Sequence, residues 1–122
     1  MELDRLYQIG TIVEEDGKYY VEVTLARQNA IFDAHFPGNP ILPGACIIDI
    51  VKCCAEKVLN KTMQTKSVCN LKFLQIIQPQ FVDNLRVTLK LSPSEEQLLC
   101  KAVVDSGNIV FSKMDLHLAS IS

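Results

Sequence analysis

The chain has 122 residues, a formal net charge of −2, 48% apolar residues and 21% charged ones. That length supports one domain with a modest core and excludes two. The balance is that of a soluble globular protein; it offers no overall basic field for nucleic acid or anionic membrane, and no stretch reaches the ~18 apolar residues of a membrane span.

The opening "MELDRLYQ" carries acids where a secretory signal has a basic flank. Next, "IVEEDGKYYVEVTL" predicts a hairpin turning at "EDGK", with Tyr19, Val21, Val23 and Leu25 alternating against Lys18, Tyr20, Glu22 and Thr24. An irregular, proline-rich segment leads to "GACIIDIVKCCAEKVLN", long, free of internal glycine and proline, and apolar around most of its circumference. This predicts a buried central helix ending near Asn60 to Thr65, with Asp49, Lys52 and Glu56 on its polar stripe. Lys57, Lys61 and Lys66 gather on and after it, where solvent or an acidic protein partner would each explain them.

Four strands are expected after the helix: "SVCNLKFLQII", "NLRVTLKL", "QLLCKAVVD" and "IVFSKMDLHLA". "SGN" is the turn between the last two. In the final strand Ser112, Met114, Leu116 and Leu118 share one face, while His117 falls on the solvated face with no chemical role. The expected fold is α+β, one antiparallel sheet of five to six strands curled around one helix. The five cysteines (46, 53, 54, 69 and 100) have neither the spacing of a disulfide framework nor that of a metal site. A reduced, cytoplasmic protein follows from that usage.

Chemistry concentrates in "HFPGNPILPG", His35 to Gly44, and in Asp49 beyond it. Pro40 and Pro43 hold off the helix, so its N-terminus falls near Gly44, where unpaired amides can polarise a carbonyl or hold an anion. Glycine leaves room for such a group to approach. His35 is a candidate base and Asp49 a candidate acid. A plain turn, a structural histidine and an exposed Asp49 paired with Lys52 account for the same residues without catalysis.

The run His35-Phe36-Pro37-Gly38-Asn39-Pro40-Ile41-Leu42-Pro43-Gly44, followed by Asp49, resembles the signature of the β-hydroxyacyl-acyl carrier protein dehydratases, which have the hotdog fold. The resemblance implies that His35 and Asp49 are catalytic and that the Gly44 amide binds the thioester carbonyl. Phe36, Pro43 and Cys53 would line the substrate site. It implies no metal and no dissociable cofactor, since the substrate arrives on the phosphopantetheine of an acyl carrier protein. It also implies a homodimer, or an assembly of dimers, with composite sites, and neither nucleic acid nor membrane insertion. One position departs from the family pattern: Cys53 stands where a glutamine usually follows the acid by one helical turn. A thioesterase and a non-catalytic acyl-binding or partner subunit are the alternatives on the same fold.

Overall fold

The central helix predicted from the apolar run extends over Gly44–Leu59 (α1). In the computed structural model, which describes residues 6–26 and 41–121, six strands accompany it. They are β1 (Tyr7–Glu15), β2 (Lys18–Leu25), β3 (Met63–Phe73), β4 (Asn84–Ser94), β5 (Gln97–Asp105) and β6 (Val110–Ser120). Every pairing is antiparallel, and the strand order is β1-β2-β4-β5-β6-β3. The result is the expected α+β hotdog, a six-stranded sheet wrapped around one long helix.

Helix and sheet meet along the stripe Cys46, Ile47, Ile50, Val51, Cys54 and Ala55, all buried. The sheet answers with alternate residues: Val21 and Val23 on β2, Leu85, Val87 and Leu89 on β4, Val104 on β5, and Met114, Leu116 and Leu118 on β6. Ile50 is fully buried at the centre. Truncating such a side chain to alanine typically costs about 2–5 kcal/mol.

The turns follow from local chemistry. Asp16 and Gly17 both take positive φ between β1 and β2, the primed geometry that matches strand twist. Asn60 ends α1 in the left-handed region, with Lys61 N donating to Glu56 O. Beyond β5, the Gly107 amide donates to the Asp105 carboxylate at 2.8 Å.

Two strands depart from their expected limits. β1 begins at Tyr7, ahead of the predicted Ile12, and a register shift between Ile9 and Ile12 breaks its alternation. That irregularity hides the strand from a period-two reading. β3 starts at Met63 and stops at Phe73, short of Ile77. The Leu74 and Gln75 amides both turn onto Phe111 O, which ends the ladder. Side chains also tie α1 to its surroundings, since Glu56 accepts the Met63 amide at 2.8 Å and Lys57 Nζ donates to Ile9 O at 2.9 Å. Lys57 therefore serves the fold. His117 lies half-buried among strand neighbours, paired with Ser67 and Leu99.

Among the described residues, Ser112 Oγ is a fully buried side-chain oxygen with no hydrogen-bond partner. A buried hydroxyl left unpaired costs about 1–3 kcal/mol. Ser112→Ala is therefore expected to leave stability unchanged or raise it, by up to about 1 kcal/mol. Urea unfolding measures this, and a clear loss of stability would show that the hydroxyl has a partner.

Candidate active site

The chain enters α1 through Leu42, whose amide donates to Ile77 O at 2.8 Å, anchoring the segment beneath the loop after β3. Pro43 is the N-cap, with extended backbone and no side-chain cap. Its carbonyl accepts the Cys46 and Ile47 amides at 3.0 and 3.2 Å. Helix geometry leaves the earlier Gly44 amide without an intrahelical acceptor, and no acid sits in the first turn to neutralise the positive end of the dipole.

Gly44 is not open on every side. A Cβ built on it would lie 2.7 Å from Phe73 Cζ at the end of β3. The approach space expected from the missing side chain is thus partly filled by an aromatic ring. Phe73 is itself 49% exposed.

Asp49 sits about 7 Å further along the axis. Its Oδ2 accepts the Tyr7 phenol at 2.5 Å. Cys53 Sγ lies 3.3 Å from the phenol oxygen and 3.7 Å from Oδ2, closing a triangle of acid, hydroxyl and thiol. On the outer side, Lys52 Nζ is 3.7 Å from Asp49 Oδ1 and 4.0 Å from Glu56. The pairing that a surface role for Asp49 requires is therefore present. A half-exposed i,i+3 pair is worth little, however, and it leaves the inward oxygen unaccounted for. The shorter contact is to Tyr7, itself buried.

Burial first, then the hydrogen bonds to Asp49 and Cys53, push the Tyr7 pKa far above the ordinary tyrosine range. The phenol stays protonated and remains a donor. Burial also pushes the Cys53 thiol up, against the opposing hydrogen bond from Tyr7. Cys46 rises through burial and then through the charge of Asp49. Neither thiol is poised as a nucleophile, and among the described residues no cluster of three His, Cys, Asp or Glu could hold a metal.

Of the residues singled out from the sequence, the structure brings Asp49 and Cys53 together and sets Pro43 and Gly44 at the helix end above them. His35 and Phe36 lie outside the described residues. Tyr7 and Phe73 are the two that sequence reasoning missed. Tyr7 stands ahead of the β1 irregularity, so no alternation marked it as inward-facing. Phe73 fell in a predicted strand whose contact with α1 no local pattern encodes.

Fold and site together define a hotdog domain with a carboxylate held beside an open helix N-terminus. The family model described as ApeI-like, ApeI dehydratase, matches residues 11–113, and the chain belongs to that family. A 3-hydroxyacyl-acyl-carrier-protein dehydratase, FabZ, from Lactobacillus helveticus is 33% identical over 82 residues, covering 61% of this chain and 55% of the relative. The FabZ of Pediococcus pentosaceus is 35% identical over 85 residues, covering 62% and 56%. The chain spans about half the length of these curated relatives. Its fold is shared with the structure titled the dehydratase heterocomplex ApeI:P from Xenorhabdus doucetiae, at a TM-score of 0.69 and 21% identity over 92% of this chain and 96% of that one. Tyr7 lies outside the family match.

Tyr7→Phe keeps the packed ring and removes the donor. Leaving a buried hydrogen-bonding group without its partner costs about 1–3 kcal/mol, so kcat should fall by about 10- to 100-fold with KM little changed. Adding Cys53→Gln in that background should recover part of the loss by supplying an amide one turn after Asp49. Unchanged kcat for Tyr7→Phe would remove Tyr7 as the residue that positions the acid.

Proposed function

We propose that this protein removes water from (3R)-3-hydroxyacyl thioesters carried on acyl carrier protein. The products are trans-2-enoyl thioesters for fatty acid or polyene-type lipid synthesis. The observation that carries this reading is the Asp49 carboxylate, fixed by Tyr7 about one and a half turns inside a helix whose N-terminal amide is free. Membership of the ApeI-like family and the activity named for the FabZ relatives support it.

In the proposed reaction the thioester carbonyl rests on the Gly44 amide, which stabilises the enolate oxygen as it forms. His35, with an ordinary pKa near ~6.5, takes the α-proton as general base. Asp49 acts here in its protonated form: it gives that proton to the departing β-hydroxyl, directly or through water, and water leaves as the double bond forms. The proton taken by His35 returns to Asp49 through solvent before the next turnover. Tyr7 holds the Asp49 oxygens in place, the service for which glutamine is usual in the family. The acyl chain passes Phe36, Pro43 and Cys53. No metal or dissociable cofactor enters.

The assay is incubation with 3-hydroxyacyl and enoyl thioesters, read by mass. Loss or gain of one water supports dehydration, free thiol supports a thioesterase, and silence supports a non-catalytic acyl-binding subunit. His35→Ala and Asp49→Asn are each expected to lower turnover by about 10²–10⁴-fold with the fold intact. Co-expression of the two dead variants tests whether the site is composite. Random pairing makes about half the dimers mixed, and a site built from His35 of one chain and Asp49 of the other restores roughly a quarter of wild-type activity. Mixed dimers that form and stay inactive would exclude a site shared across the interface.

Assembly is expected at β3, one of the two sheet edges. Leu71 and Phe73 on it, and Leu74 and Ile76 just beyond it, are exposed, and Phe81 further along that loop is 72% exposed. An apolar edge of this kind is a template for another chain. The partner is a second copy of this chain or, in keeping with the ApeI:P heterocomplex, a different protein. Leu74→Glu with Ile76→Glu should convert the assembly to monomers in light scattering after gel filtration. Persistence of the assembly in that variant would place the interface elsewhere.

A further inference from the structure

The outer face of the sheet carries a feature that the proposed chemistry does not use. Five adjacent strands, β2, β4, β5, β6 and β3, each present one lysine: Lys18, Lys90, Lys101, Lys113 and Lys72. All five are exposed. They line a groove of about 360 Å³ whose other walls include Thr88 and Val103.

The register shows how closely the charges are set. Lys90 is directly opposite Lys101, and Lys72 directly opposite Lys113. The Tyr19–Leu89 pairing puts Lys18 beside Lys90. Like charges facing each other across a ladder are destabilising. One acid, Asp115, lines the groove; it is opposite Lys101 and accepts Asn70 Nδ2 at 2.8 Å. Among the described residues, none of the five lysines has an ion-pair partner. In a chain of net charge −2, such a row is a concentrated exception.

We propose that this row is a docking site for an acidic amphipathic helix of a partner protein. At the ~4.8 Å strand spacing, five strands span about 19 Å, the length of a helix of roughly 13 residues. Acids at i, i+3 or i+4 recur along that helix every ~5–6 Å, close to the strand repeat. The aliphatic surface between the lysines, at Val103 and Thr88, takes an adjoining apolar stripe. A single-stranded nucleic acid fits less well, because among the described residues no aromatic side chain lines the groove for base stacking and Asp115 interrupts the row. The face is turned away from α1 and Asp49, so a helix docked here is not in position to deliver a thioester to the site. This interaction is separate from the proposed reaction.

The probe is a fluorescein-labelled helical peptide of about 14 residues, with glutamates on one stripe and leucines beside it, read by anisotropy. It should bind, and binding should weaken with added salt. Lys90→Glu with Lys113→Glu turns both opposed lysine pairs into ion pairs. That variant should raise the melting temperature, weaken peptide binding by about tenfold or more, and keep thioester turnover unchanged. A lysine row with a purely structural role gives no such opposition between stability and binding. The proposal is overturned if the peptide does not bind, or if one of the same composition with scattered glutamates binds equally. It is also overturned if oligouridylate or phosphatidylserine vesicles bind more tightly, or if the double variant binds the peptide undiminished.

Discussion

The structure depends on covering a helix that is apolar around most of its circumference. A surface helix hides one stripe and wets the rest. In α1, the buried residues Cys46, Ile47, Ile50, Val51, Cys54 and Ala55 make a continuous band, with Ile48, Cys53, Val58 and Leu59 half-buried beside it. A flat sheet covers one side of such a cylinder, whereas a twisted, curled one reaches around it. Each strand's alternation meets this need by turning one row of aliphatic residues inward.

What the sheet leaves uncovered becomes the place for chemistry. The polar stripe of α1 is Asp49, Lys52 and Glu56, and its members have divided roles. Glu56 receives the Met63 amide and fixes where β3 begins. Lys52 lies between the two acids. Asp49, nearest the helix start, has one oxygen toward Lys52 and the other held by Tyr7. A carboxylate gripped on its inner side by a buried phenol cannot sweep freely through rotamers as an exposed aspartate does. That restriction is what the proton donor of the proposed reaction requires.

Much of this was legible in the sequence because hydrophobic periodicity reports burial directly. The helix limits, the "EDGK" and "SGN" turns and the inward face of β6 were all readable, since each is encoded within a few residues of itself. β1 and β3 were misjudged where periodicity fails. The Ile9–Ile12 irregularity shifts β1's phase, and an edge strand like β3 has too little burial to impose one. Among the candidate site residues, Gly44 and Asp49 were singled out through the motif and Cys53 as a departure from the family pattern. Tyr7 reaches Asp49 from 42 residues away, a contact created only when β1 closes over the helix. The sequence exposed the gap at Cys53 and left open what fills it. Tyr7 fills it, bonding to the acid and touching the thiol in the space a longer amide side chain would need.

The contact between Phe73 and Gly44 joins the sheet edge to the helix end. Phe73 closes β3, one of the two edge strands, and its ring tip rests where a side chain on Gly44 would begin. A strand added to β3 therefore arrives beside the amide that the proposed reaction uses. It would restrict Phe73, which is half-exposed in this chain. Assembly and carbonyl binding are then coupled through one aromatic side chain. The position tolerates only glycine without displacing it, because any Cβ at residue 44 meets the ring within van der Waals distance. On this view Gly44 serves both the incoming carbonyl and the ring that flanks it. For the proposed reaction the amide is most accessible when Phe73 is drawn to one side, so a partner at that edge would bear on carbonyl binding.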